Sequence, residues 1–212
     1  MTLLDPQFTV RAMEHLGIVF AALVLTILAG APLGVCAYFY KNARKTILLT
    51  VEILQTVPAM ALLGIIMIFI GAGKTTVIFG LLLYSLLPIV QNTYVGLSEV
   101  DPAIKEAANG MGMTRLYKLV HVELPIALPL IFAGIRIAAV TAVGIATFAA
   151  LVGGGGLGVL IFRGIRTSNM DLILTSTAAL MLMALAFNFG MAAVEKFLQR
   201  RTCAQKTEKE AQ

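Results

Sequence analysis

The residues that come nearest to phosphate chemistry are Gly71-Ala72-Gly73-Lys74-Thr75 and the run from Gly153 to Gly158. A phosphate-binding loop reads Gly, four residues, Gly-Lys-Ser/Thr, because its backbone N–H groups cradle the phosphates and its lysine reaches the outer ones. The first glycine would fall at residue 68, which is Ile68. The cradle is incomplete, and 71–75 reads as a tight turn. Gly153-Gly154-Gly155-Gly156-Leu157-Gly158 formally fits a dinucleotide fingerprint, but any glycine run does, and no strand–turn–helix unit surrounds it. It reads as a break in helical structure, since glycine is costly inside a helix and permissive outside one. No nucleotide or other cofactor is expected to bind this chain.

A second constellation points to mechanical work rather than bond chemistry. Glu106-Ala107-Ala108 is followed after three residues by Gly112, after nine more by Val122, and after one more by Leu124-Pro125. Asp101 can cap a helix whose first position is Pro102, where proline loses no needed N–H and already has helical φ. On that helix Ala103, Glu106, Ala107 and Gly110 share one face, so small residues flank one acid and a partner can approach closely. Gly110 and Gly112 suit a sharp turn before a second short helix that Thr114 can cap. Leu124-Pro125 then opens an apolar segment.

The elements that must hold this loop are membrane helices. At 59% hydrophobic and 13% charged residues, with mean hydropathy +0.92, the chain has too little polar surface for a soluble globule of its length. Gly17 to Tyr40, Thr75 to Gly96 and Leu172 to Val194 carry no charge, and each exceeds the roughly 20 residues that a helix needs to cross the hydrocarbon core. Two further spans carry one charge each, Ile47 to Ile70 with Glu52 and Ile126 to Val152 with Arg136. The expectation is an all-α integral membrane protein with a single domain over 1–196. Its five spans lie at about 17–40, 47–70, 75–96, 126–152 and 172–194, with a loop at 97–125 and a polar, fraying tail at 197–212. The first span is longer than a signal core and lacks a small-residue cleavage site after it, so it is expected to persist. Cys36 in that span and Cys203 in the tail are not expected to pair.

Basic residues orient the bundle, because short loops rich in Lys and Arg stay in the cytoplasm. One set of loops holds Lys41, Arg44, Lys45, Lys105, Arg115, Lys118, Lys196, Arg200, Arg201, Lys206 and Lys209; the other holds only Arg11, Lys74, Arg163 and Arg166. The N-terminus is therefore expected outside, with the tail and the 97–125 loop in the cytoplasm.

Charges inside the spans must pair, line a wet cavity or snorkel. An ion pair between Glu52 and Arg136 would satisfy both. Gln55, Asn92, Thr93 and Thr141 can bond across helices or line a path. Pro32, Pro58 and Pro88 bend their spans. Leu157 to Arg166 reads as a short amphipathic segment at the membrane surface, with Leu160, Ile161 and Ile165 toward apolar surroundings. Its Arg163 and Arg166 either snorkel to headgroups or dock a partner protein.

The spacing from Glu106 to Pro125 resembles the cytoplasmic coupling loop of permease subunits in bacterial ATP-binding-cassette importers, with Val122 where that loop has isoleucine. Glu52-Ile53-Leu54-Gln55-Thr56-Val57-Pro58, Leu86-Leu87-Pro88-Ile89, Asn92-Thr93-Tyr94, Gly134-Ile135-Arg136, the 153–158 glycines and Arg163-Gly164-Ile165 narrow the resemblance to osmoprotectant permeases. The resemblance covers most of residues 17–196. It implies the type I importer permease fold in the bacterial inner membrane and alternating access for a quaternary amine such as glycine betaine, carnitine or choline. It also implies two ATPase subunits carrying ATP and Mg, a second permease subunit (identical or related) and an extracytoplasmic binding protein. Coupling contacts would come from Ala103, Glu106, Ala107, Ala108, Gly110, Gly112, Leu124 and Pro125, and the path from Gln55, Pro58, Asn92, Thr93 and Thr141. Neither catalysis by this chain nor a nucleic-acid partner is expected. A permease for methionine or another small nutrient is the alternative within the class. A channel or ion-driven transporter would instead need a functional carboxylate near mid-membrane.

Overall fold

The computed structural model describes residues 6–210, with side chains described for 6–197. Among these residues every regular element is helical, as lipid demands when backbone groups must be satisfied within the segment. The chain runs through α1 (Pro6–Phe39), α2 (Lys41–Thr56), α3 (Ala59–Ile70), α4 (Lys74–Ser98), α5 (Pro102–Gly110) and α6 (Arg115–Lys118). A π-helical turn at Leu119–Glu123 leads into α7 (Leu124–Ile145), which tightens to a 3-10 helix at Ala146–Val152 before α8 (Gly158–Arg166) and α9 (Met170–Glu210).

Helix α4 is the axis of the bundle. Half of its most apolar stretch is buried, 50% against 17% for α9, which leaves α9 with a broad apolar face outward. Two glycines set how closely the neighbours approach α4. A Cβ on Gly34 of α1 would lie 2.5 Å from Thr93 Cβ, and one on Gly134 of α7 would lie 2.5 Å from the Pro88 carbonyl oxygen. Side chains there would force the helices apart. Two apolar clusters fill the contacts. One centres on Val19, Leu81, Val143 and Ala146, the other on Leu23, Ile89, Ile131 and Ala138. Phe187 of α9 packs against both.

Three expectations about the spans change. The second span is two helices, α2 and α3, which meet at an angle of 101°. Pro58 restricts Val57 to extended backbone, ψ 129°, so the helix must stop before it. Helix α1 begins at Pro6, well before Gly17, because its first turns pack against α8 and α9: Phe8 is buried with Leu157, Leu160 and Leu172. Helix α9 continues through Glu210, where the sequence reading placed a frayed tail. After Gly190 this stretch has no glycine or proline and many good helix formers. Residues 211–212 of that tail lie outside the described residues.

Candidate functional site

The 101–125 loop is built by local rules. Asp101 Oδ1 accepts from the Ala103 N–H at 2.9 Å with Pro102 at the first helical position. At the other end of α5, the Met113 N–H reaches the Ala108 carbonyl at 3.2 Å and the Gly112 N–H reaches that of Asn109 at 2.9 Å. Gly112 has φ +75°. Together these are a Schellman ending with glycine at its left-handed position. Ala108 and Gly112 therefore occupy linked positions of one helix terminus, and their spacing follows from it. Gly110, expected to share the turn, is simply the last residue of α5. Thr114 then caps α6, accepting from the Tyr117 N–H at 3.4 Å.

Burial divides the loop into an anchor and a face. Ala108 is 1% exposed and Leu119 is 5% exposed, so both point inward. Ala103, Glu106, Ala107, Gly110, Gly112 and Pro125 are exposed, and Leu124 is half-buried. Met111, Leu116, Tyr117 and Val120 add exposed apolar surface beside them, with Tyr117 stacked on His121 at 4.0 Å between ring centroids. Such a rim of small and apolar groups around one acid suits a protein partner.

Lys105 fastens the loop to the bundle. Its Nζ donates to the Leu97 carbonyl at 2.9 Å and to that of Ser98 at 3.4 Å, closing the end of α4. It also lies 5.2 Å from the centre of the Tyr38 ring at the end of α1. Arg44 closes the neighbouring corner, donating from Nε to the Ala37 carbonyl at 3.2 Å and sitting 4.8 Å over the Tyr94 ring.

The expected pair of Glu52 and Arg136 is not formed. Arg136 Nη1 lies 3.0 Å from Glu195 Oε2, joining α7 to α9, while Glu52 is exposed on α2. Glu195 sits just past the uncharged run 172–194, so no feature of the span itself points to it. The path candidates also separate. Asn92 Nδ2 donates to the Pro88 carbonyl at 2.7 Å within its own helix. Thr93 is fully buried at the α1–α4 crossing. Gln55 and Thr141 are half-buried, and Pro58 is exposed at the α2–α3 break.

At the opposite end, Glu14 ties three elements together. It accepts from Arg11 Nη1 at 2.8 Å and from the Gly156 N–H at 3.2 Å, and Lys74 Nζ lies 3.3 Å away. Gly155, at φ +83°, passes so close that a Cβ would stand 2.6 Å from Glu14 Oε2. The glycine run is thus a helix break pinned to α1, and 71–75 is a turn held by the Gly73 N–H on the Val152 carbonyl at 2.8 Å. Arg163, Ile165 and Arg166 are exposed on α8, and Leu160 is buried. Glu14 was missed because it precedes the first uncharged run. The i, i+3 spacing to Arg11 was its only local signal.

Residues 22–203 match the family described as binding-protein-dependent transport system inner membrane component, and the chain belongs to that family. Among curated relatives it is 40% identical to the glycine betaine/carnitine/choline transport system permease protein OpuCD of Bacillus subtilis, over 88% of this chain and 80% of that one. It is 37% identical to the carnitine transport permease protein OpuCB of Listeria monocytogenes, over 88% and 85%. To the osmoprotectant import permease protein OsmW of Salmonella typhimurium it is 38% identical, over 83% and 84%. Its fold is that of a chain from the inward-facing MetNI methionine ABC transporter, with TM-score 0.83 at 23% identity over 93% of this chain and 99% of that one. This is an inner-membrane permease subunit of the ABC importer class, with a type I permease fold.

Proposed function

We propose that this chain forms the translocation path of an ATP-driven importer for a small quaternary-amine osmoprotectant such as glycine betaine, carnitine or choline. The substrate class rests on the relatives' names and on the 37–40% identity that runs nearly the length of the chain. The drive rests on one observation: α5 is anchored by buried Ala108 and presents Ala103, Glu106 and Ala107 outward. Two ATPase subunits, which hold the ATP and Mg, would each grip such a helix from the cytoplasm. A second permease subunit, identical or related, would complete the path. Gln55, Pro58, Asn92 and Thr141 are the candidates to line it, with Thr93 buried at the α1–α4 crossing. The N-terminus would lie outside, where a binding protein delivers solute near Arg163 and Arg166.

The permease itself holds no step of hydrolysis. ATP binding would close the ATPase pair, move the two α5 helices together and reorient the spans. The deciding experiment reconstitutes the importer in proteoliposomes and changes Glu106 to Lys. Uptake should fall while the subunits still co-purify and ATPase activity persists. Unchanged uptake and unchanged binding-protein-stimulated ATPase would refute the coupling role.

A further inference from the structure

Glu123 is 1% exposed; neither of its carboxylate oxygens has a well-formed hydrogen bond among the described residues, and the Tyr38 hydroxyl at the end of α1 interacts with it. A carboxylate taken from water costs several kcal/mol unless it is paired. Lys118 Nζ stands 3.7 Å from Glu123 Oε1, within ion-pair range but beyond the roughly 2.8 Å of a charge-assisted hydrogen bond. The same Nζ donates at 2.8 Å to Asn109 Oδ1. Its side chain is only 15% exposed, so its charge is poorly screened.

These three residues lie on two pieces, since Arg115–Val152 runs as one continuous helix that carries both Lys118 and Glu123. Asn109 belongs to α5, Lys118 ends α6, and Glu123 closes the π-helical turn from which α7 departs. The lysine is hydrogen-bonded to a neutral amide, although a carboxylate is the stronger acceptor. Lys105 holds the other side of α5 to the carbonyls of Leu97 and Ser98.

We propose that Lys118 is a two-position joint between α5 and α7, bonded to Asn109 in one state and to Glu123 in the other, with Glu123 as the positioning residue. The proposal rests on the reading of α5 as the helix gripped by the ATPase. Pushing α5 withdraws Asn109, Lys118 closes on Glu123 within its own helix, and the tie between α5 and the helix that becomes α7 is switched. Glu123 occupies the position just before Leu124-Pro125, which is why the signal arrives at the head of a span.

The test uses the complete importer in proteoliposomes, reading solute moved per ATP hydrolysed. Glu123→Gln and Lys118→Gln should each lower that ratio about fivefold or more, and the double variant should be no worse than either single one. Lys118→Arg should keep most of the ratio. Asn109→Ala, at an exposed position, should raise ATPase activity in the absence of solute, and it decides the matter if a Glu123 variant fails to assemble. Normal ratios in Glu123→Gln and Lys118→Gln, additive losses in the double, or unaltered ATPase activity in Asn109→Ala would overturn the joint. Glu106→Lys serves as the reference. If it uncouples while these variants do not, only the joint is wrong; if it also leaves coupling intact, the reading of α5 falls with it.

Discussion

Arg136 and Glu195 meet at 3.0 Å across α7 and α9. The carboxylate side chain is 15% exposed and the guanidinium side chain 34%, so the pair is partly shielded and joins the most peripheral helix to the bundle. Removing one partner leaves the other charge poorly solvated.

Glu195→Gln should therefore destabilise the detergent-solubilised complex by about 2 kcal/mol, read as a lower thermal midpoint. Glu52→Gln, at an exposed site on α2, should stay within about 0.5 kcal/mol of the parent. Equal effects would restore the pairing of Glu52 with Arg136 that the sequence suggested.

Gly112 should show a graded response. Nothing lies within 4 Å of a Cβ built there, so the constraint is its φ of +75° and not space. Asparagine tolerates that conformation, alanine costs about 1–2 kcal/mol, and a β-branched residue costs more. Uptake should fall in the order Gly, Asn, Ala, Val, with membrane insertion intact throughout. A sterically ordered series in which Asn is worse than Ala would show that the turn geometry is not what matters.

Within α7, two glycines should behave oppositely. Gly134→Ala places a methyl 2.5 Å from the Pro88 carbonyl oxygen and should cost about 1–3 kcal/mol. Gly144 has nothing within 4 Å, and Gly144→Ala should be neutral or gain up to about 1 kcal/mol from helix propensity. Thermal unfolding of the two purified variants checks both signs.

Charge reversal at Arg163 and Arg166 tests docking. If a binding protein seats there, the double change to Glu should weaken stimulation of ATPase activity by the liganded binding protein. Added salt should weaken the parent's stimulation in the same direction. Stimulation that is insensitive to both would return these arginines to a headgroup role.

What was legible in the sequence is what the chain decides locally. The Asp101 and Thr114 caps, the Gly112 turn and the break at 153–158 each depend on residues within a few positions of one another. Pro58 announced a bend, but its size depends on what α3 packs against: Leu63 is buried with Val77 and Leu81 of α4. The partner of Arg136 and the ties of Glu14 to Lys74 and Gly156 span distant parts of the chain, and no periodicity encodes them. Polar residues inside a span were the least readable. Thr93 lies against Gly34 because two helices cross there, and nothing near Thr93 in sequence signals that crossing.

The elbow between α2 and α3 carries a consequence for how the subunit can exist. Twelve residues of α3 rise only about 18 Å, well short of the roughly 30 Å of hydrocarbon. The bend at Val57-Pro58 would then lie below the membrane surface, where lipid cannot satisfy any backbone group that the break leaves free. A lone copy would have to thin the bilayer or admit water around that corner. Under the proposed pairing with a second subunit, protein would cover that corner, and the chain's own folding in the membrane would be completed by assembly.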